Sequence, residues 1–268
     1  MAAGGQVGTM KRTQFAIVMA LALAGMGPVR APAAQADGRL SAKLEADQIG
    51  VVDPGIYEAG ETVRFALTPW GHKYLLRFED EPETFVLTAA HAPMGARVLK
   101  YDTGVIALSV SGWGAITLYT DAKPSGIPAV RTADAPPAPV ISASLNDLEN
   151  AAHDEAAHLN YVREVKLVFL ADWNKLANEP ASWTPAFEAI TNTARGIEYF
   201  TRAMKARQTL AQSIDAVRLQ SGSKPALTLT GKTLVVTFAA ENGYAGRPSS
   251  RAVARGLSKA LSVPLHRE

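Results

Sequence analysis

The stretch TVRFALTPWGHKYLLRFEDEPETFVLT, residues 62–88, decides the N-terminal half of the fold. Val63, Phe65 and Leu67 occupy alternate positions, which places them on one face of an extended chain. Pro69-Trp70-Gly71 and Asp80-Glu81-Pro82 interrupt the run, and KYLLRFE (73–79) and ETFVLT (83–88) resume it. Further along, RVLKY (97–101), GVIALSV (104–110) and GAITLYT (114–120) read as three more strands, set apart by Pro93-Met94-Gly95, Asp102-Thr103-Gly104 and Ser111-Gly112. Six short strands at about ten-residue spacing predict an antiparallel all-β sandwich or open barrel. That domain is assigned to residues 37–120, with a polar, turn-rich leader over 37–61.

Beyond it the composition changes. Residues 121–142, DAKPSGIPAVRTADAPPAPVIS, carry five prolines without apolar periodicity, which predicts a semi-rigid linker. From residue 143 the period becomes helical: Leu145, Leu148, Ala152, Ala156 and Leu159 share a face. VREVKLVFLADW (162–173) reads as a strand, and 184–212 as a helix burying Phe187, Ile190, Ala194, Ile197, Phe200 or Thr201, and Met204. A strand at 214–219, a hairpin at 227–238 bent at Thr230-Gly231, and a last helix over 249–261 complete the chain. The order α-β-α-β-β-α predicts a two-layer α/β domain over 143–268 and an α+β class for the whole protein.

Upstream of both domains, Lys11 and Arg12 precede FAIVMALALAGM (15–26), an apolar run too short for a stable membrane anchor. Ala34-Gln35-Ala36 follows as a small-x-small cleavage site, so residues 1–36 read as a secretory signal peptide, with Met1 or Met10 as the start. The expected location is periplasmic or secreted, with no transmembrane span after signal removal. The 268 residues contain no cysteine, which excludes disulfide scaffolds, thiol catalysis and Cys-ligated metals. Loss of the signal removes three basic residues and brings the net charge from +2 to −1, so the basic balance of the precursor does not point to nucleic acid. The charge is uneven: residues 37–130 hold 8 basic and 12 acidic groups, and residues 195–268 hold 12 and 4.

The strongest candidate site lies in that basic end. Glu241-Asn242-Gly243-Tyr244-Ala245-Gly246 leads from a strand into Arg247-Pro248-Ser249-Ser250-Arg251 at the start of the last helix. A helix start offers free N–H groups to an anion, and cations placed there oppose the helix dipole unless a negative group is bound. Arg247, Ser249, Ser250, Arg251 and Arg255 are therefore candidate anion-binding residues. The alternative is an ordinary Ser-capped helix whose arginines pair with nearby carboxylates. Nucleotide-binding glycine motifs and nucleophile elbows are absent from the sequence. Asp102-Thr103-Gly104 spells an aspartic-protease triplet, but that chemistry needs a second carboxylate, and Asp-x-Gly is good turn chemistry. His153 and His158 are five apart and do not converge on a helix, so no metal is assigned. Trp70 and Trp113 are candidates for an aromatic platform or for packing.

The segments RFALTPWG, LLRFEDEPETFVL, GAITLYT, TLVVTF and GYAGRPSSRAVARGL resemble a family of uncharacterised exported alphaproteobacterial proteins, a domain of unknown function. The resemblance implies export and a two-part architecture, and it carries over no catalytic residue. The expected function is that of a non-catalytic binding or envelope-associated protein without a cofactor. Its partner would be an anionic polymer, a lipid headgroup or an acidic protein, met through the basic C-terminal helix. The alternative is a hydrolase of an envelope polymer using carboxylates such as Glu79, Asp80, Glu81 or Asp102.

Overall fold

Alternation of apolar residues builds a closed antiparallel barrel of eight strands in the computed structural model, which describes residues 52–265. The expected signal peptide and most of the leader lie outside the described residues. The strands are β1 (Gly55–Ala59), β2 (Val63–Trp70), β3 (Lys73–Phe78), β4 (Thr84–His91), β5 (Arg97–Lys100), β6 (Ile106–Val110), β7 (Ile116–Leu118) and β8 (Ile127–Ala133). Each pairs with its neighbour, and β1 pairs with β8 to close the ring. Eight strands leave an interior that side chains alone can fill. Phe65, Leu67, Leu76, Phe85, Leu87, Leu99, Leu108 and Leu118 do so, each at most 3% exposed. An aromatic chain crosses this core from Tyr57 to Phe65, Phe78, Phe85 and Tyr101 in ring contacts of 5.3–6.3 Å.

The closed barrel differs from the sandwich or open barrel read in the sequence by two further strands. Strand β1 lies in the stretch read as leader, and β8 in the proline-rich stretch read as linker. Prolines mask β8: its register on β7 sets Pro128 opposite Thr117, and its side chains are mostly exposed. Arg131 of β8 reaches across the closure to donate from Nε to the Pro54 carbonyl at 2.8 Å.

The second region is α/β and forms one unit with the barrel. Its helices are α1 (Leu145–Arg163), α2 (Trp173–Ala177), α3 (Trp183–Phe200), α4 (Met204–Ser213) and α5 (Ser250–Leu261). Strands β9 (Val168–Leu170), β10 (Ala216–Ser221), β11 (Ala226–Thr230) and β12 (Thr233–Phe238) make a mixed sheet in the order β11-β12-β10-β9. Strand β10 runs parallel to β9 and β12, and β11 is the antiparallel edge. Helix α1 opens on a reciprocal capping box between Ser144 and Asp147. It runs to Arg163 and stops at Glu164 in the left-handed conformation (φ 55), so the strand expected over 162–173 shrinks to three residues.

The long helix expected over 184–212 is broken between α3 and α4. The Thr201 hydroxyl donates back to the Ile197 and Glu198 carbonyls, and Ala203 is extended. Helix α3 packs against α1 and α5 and is the most buried element of this layer. Gly196 is what admits α5, since a Cβ there would sit 2.5 Å from Val253 Cβ and 2.6 Å from the Ser250 carbonyl oxygen.

Candidate functional site

The five residues singled out at the start of the last helix come together on the seam where α5 meets the barrel. Strand β12 ends at Phe238, and a 3-10 segment, Ala240–Gly246, turns the chain beneath Trp70. Gly243 takes φ 51 there, and the Trp70 ring would lie 3.0 Å from an added Cβ. Ser249 then caps α5, its hydroxyl accepting from the Ala252 N–H at 3.0 Å.

The anionic partner of this helix start is supplied by the chain itself. Asp102, in the β5–β6 turn, accepts from the Ser249 N–H at 3.0 Å and from the Ser249 hydroxyl at 2.7 Å. Glu83, just before β4, accepts from the Ser250 N–H at 2.8 Å. Two carboxylates thus occupy the positive end of the α5 dipole and satisfy N–H groups that a helix leaves free.

The arginines are held from both sides of the seam. Arg247 is 6% exposed, pairs with Glu188 of α3 and lies 4.8 Å from the Tyr244 ring centre. Arg251 pairs with Asp121 at 3.1 Å and lies 4.5 Å from the Tyr101 ring centre. Arg255 is exposed and donates to the Thr103 carbonyl. Tyr199 of α3 donates to Asp121 as well, at 3.0 Å.

Burial sets the electrostatics. Removal from water pushes the Glu83 carboxyl up to about 7, outweighing its Ser250 hydrogen bonds and the Arg195 charge. Burial also raises Glu188 against the opposing pull of Arg247, and it pushes the Tyr101 hydroxyl up to about 12.

Three cavities flank the seam. The widest, about 1070 Å³, is an open groove walled by Tyr101, Tyr119, Tyr199, Ile106, Arg251 and Arg255. A second, of about 480 Å³, lies on the other side of the Arg251–Asp121 pair, with Phe78, Phe85, Glu83, Arg195 and Arg202 on its walls. A third, of about 100 Å³, lies between β3–β4 and the Arg247 segment.

The other candidates fall elsewhere. Asp102-Thr103-Gly104 is a turn with Gly104 at φ 81, and its aspartate is spent on α5. Glu79 meets Arg64 at 3.1 Å, and Asp80 and Glu81 are exposed on the rim of the second groove. His158 faces Glu198 at 3.4 Å, and His153 lies on the exposed side of α1. Trp70 packs edge-on against Tyr244 at 5.8 Å, and Trp113 is 82% exposed in the β6–β7 turn.

Sequence reasoning missed Glu83, Asp121 and Glu188. Glu83 left a signal, because it keeps the alternation of Phe85 and Leu87 and so sets a carboxylate in phase with the barrel's apolar face. Glu188 sits on the same turn of α3 as the buried Ala189 and Ile190. Asp121 left none, since its partner Arg251 is 130 residues away.

These features define an α+β protein in which a filled barrel is sealed onto an α/β layer by carboxylate–helix and carboxylate–arginine contacts. The chain belongs to the family described as a domain of unknown function, DUF4908, whose model matches residues 38–257. Neither the comparison with curated proteins nor that with solved structures finds a match. Among the described residues, no helix is long and apolar enough to cross a membrane.

Proposed function

We propose that this chain is an exported, envelope-associated binding protein without catalytic activity, and that it holds an acidic glycan in the wide groove beside α5. The observation that carries the reading is the make-up of that groove: two half-buried tyrosines, Tyr119 and Tyr199, share its wall with Arg251, the exposed Arg255 and Asp121, which holds Arg251. Tyrosine rings offer flat apolar faces to sugar rings, and guanidinium groups pair with carboxylates in a fixed fork. Of the five candidate anion-binding residues, Arg251 and Arg255 line this groove; Asp121 already holds Arg251, so the exposed Arg255 is the one left to meet a carboxylate. Arg247, Ser249 and Ser250 serve the same end by anchoring α5, so that its basic face is presented at a fixed angle. Export rests on the N-terminal sequence pattern alone.

A hydrolase reading has less to draw on. Glu83 accepts from the Ser250 N–H and Asp102 from the Ser249 N–H and hydroxyl, so both are engaged at the start of α5, and the acids Asp80 and Glu81 are exposed.

The test is a binding titration of the purified protein with polygalacturonate, beside neutral dextran and anionic lipid vesicles. Polygalacturonate is expected to bind, and Arg255→Ala is expected to weaken it about tenfold, the loss of one charged hydrogen bond. Binding that Arg255→Ala leaves unchanged, or binding to the vesicles alone, overturns the glycan reading. Release of shortened chains during the titration overturns the non-catalytic one.

A further inference from the structure

The third cavity, behind the arginine that the groove does not use, has the donor set of an ion site. It is walled by the outer face of β3 and β4 (Lys73, Thr84) and by Asn192, Arg247, Ser249 and Asp102. Its volume of about 100 Å³ is several times the roughly 10–15 Å³ that one water needs.

Donors on this wall are left over. The Thr84 hydroxyl belongs to a residue 6% exposed and makes no hydrogen bond within the protein. Arg247 Nε is likewise buried and without a hydrogen-bond partner. Lys73 forms no ion pair among the described residues. Buried polar groups in folded proteins are nearly always satisfied, so a cluster of spare donors calls for an acceptor.

The acidic groups narrow the ligand. Glu188 balances Arg247, and Asp102 lines the cavity with each oxygen already accepting once from Ser249. A carboxylate oxygen has a second lone pair, so Asp102 accepts one more hydrogen bond but repels an oxyanion that brings no proton. An ion suited to this wall accepts from Thr84, Arg247 and Lys73 and donates to Asp102.

We propose that the cavity binds a small oxyanion carrying its own proton, of the hydrogen phosphate type. The site is separate from the glycan groove, whose wall it shares with neither Arg251 nor Arg255.

The experiment is thermal melting of the purified protein in phosphate, and in sulfate and chloride at matched ionic strength. Saturating phosphate is expected to raise the melting temperature by a few degrees, with sulfate no better than chloride. Thr84→Val removes a hydroxyl that has no partner in the protein, so it is expected to melt no lower than the native chain without phosphate and to lose the phosphate shift. Lys73→Ala is expected to reduce the shift, and Arg255→Ala to keep it. Equal shifts by sulfate and phosphate overturn the protonated-ion assignment. No phosphate shift, or one retained by both Thr84→Val and Lys73→Ala, overturns the site. Loss of the shift in Arg255→Ala with retention in Thr84→Val moves phosphate to the groove and also overturns it.

Discussion

At the scale of single residues, Glu83 and Asp102 do different work at one helix start. Asp102 is solvent-exposed yet makes two hydrogen bonds to Ser249, bridging positions 147 residues apart. Asp102→Ala is expected to cost about 1–2 kcal/mol in denaturant unfolding, because water can replace only part of what the carboxylate gives. Glu83 is 3% exposed, and its burial opposes ionisation. Its carboxyl titrates near 4.5 in the unfolded chain and at about 7 in the folded one. The unfolded state therefore loses its proton first as pH rises. The stabilisation is complete below pH 4.5 and gone once pH has risen through 7, a difference of roughly 3 kcal/mol. Unfolding free energy measured from pH 4 to pH 8 is expected to fall over that interval, and Glu83→Gln to flatten the fall. An unchanged slope in Glu83→Gln would assign the effect to Glu188, which burial shifts in the same direction.

Elements differ in how much of them the sequence discloses, and the difference is physical. Strand β2 buries Phe65 and Leu67 from one face, so period-two alternation marks it, whereas β3, β4 and β6 also bury sequence neighbours, as Leu75 beside Leu76. Strand β8 buries little, and β1 and β8 close the barrel through a pairing 70 or more residues apart, which no local pattern records. A serine cap for α5 at Ser249 or Ser250 was legible, as was the conflict between its arginines and the helix dipole; the cap is Ser249. That the partner is Glu83 and Asp102 depends on how the barrel docks, and docking is a tertiary quantity. The α3–α5 crossing is similar: Gly196 reads as an ordinary helix glycine until Val253 is placed 2.5 Å from its missing Cβ. Gly196→Ala raises helix propensity, yet it is expected to destabilise by about 1–3 kcal/mol through overpacking. A melting temperature at or above that of the native chain in Gly196→Ala would show that the two helices can move apart.

At the scale of the whole molecule, the barrel and the α/β layer depend on each other through a seam of mixed chemistry. Asp102 and Glu83 hold the end of α5, Asp121 holds Arg251 and Tyr199, and Trp70 leans on Tyr244. The acidic N-terminal half and basic C-terminal end seen in the sequence are partly spent on this junction. What remains outward is the groove with Arg255 exposed on its wall. A binding role for that groove rests on charge, and charge between exposed groups is screened over about 8 Å at physiological ionic strength. The most direct measurement is therefore the affinity of the purified protein for polygalacturonate from 50 to about 500 mM salt, a range that shortens the screening length severalfold. Binding that weakens steadily with added salt, and less steeply in Arg255→Ala, is the predicted result. Affinity indifferent to salt would contradict the account.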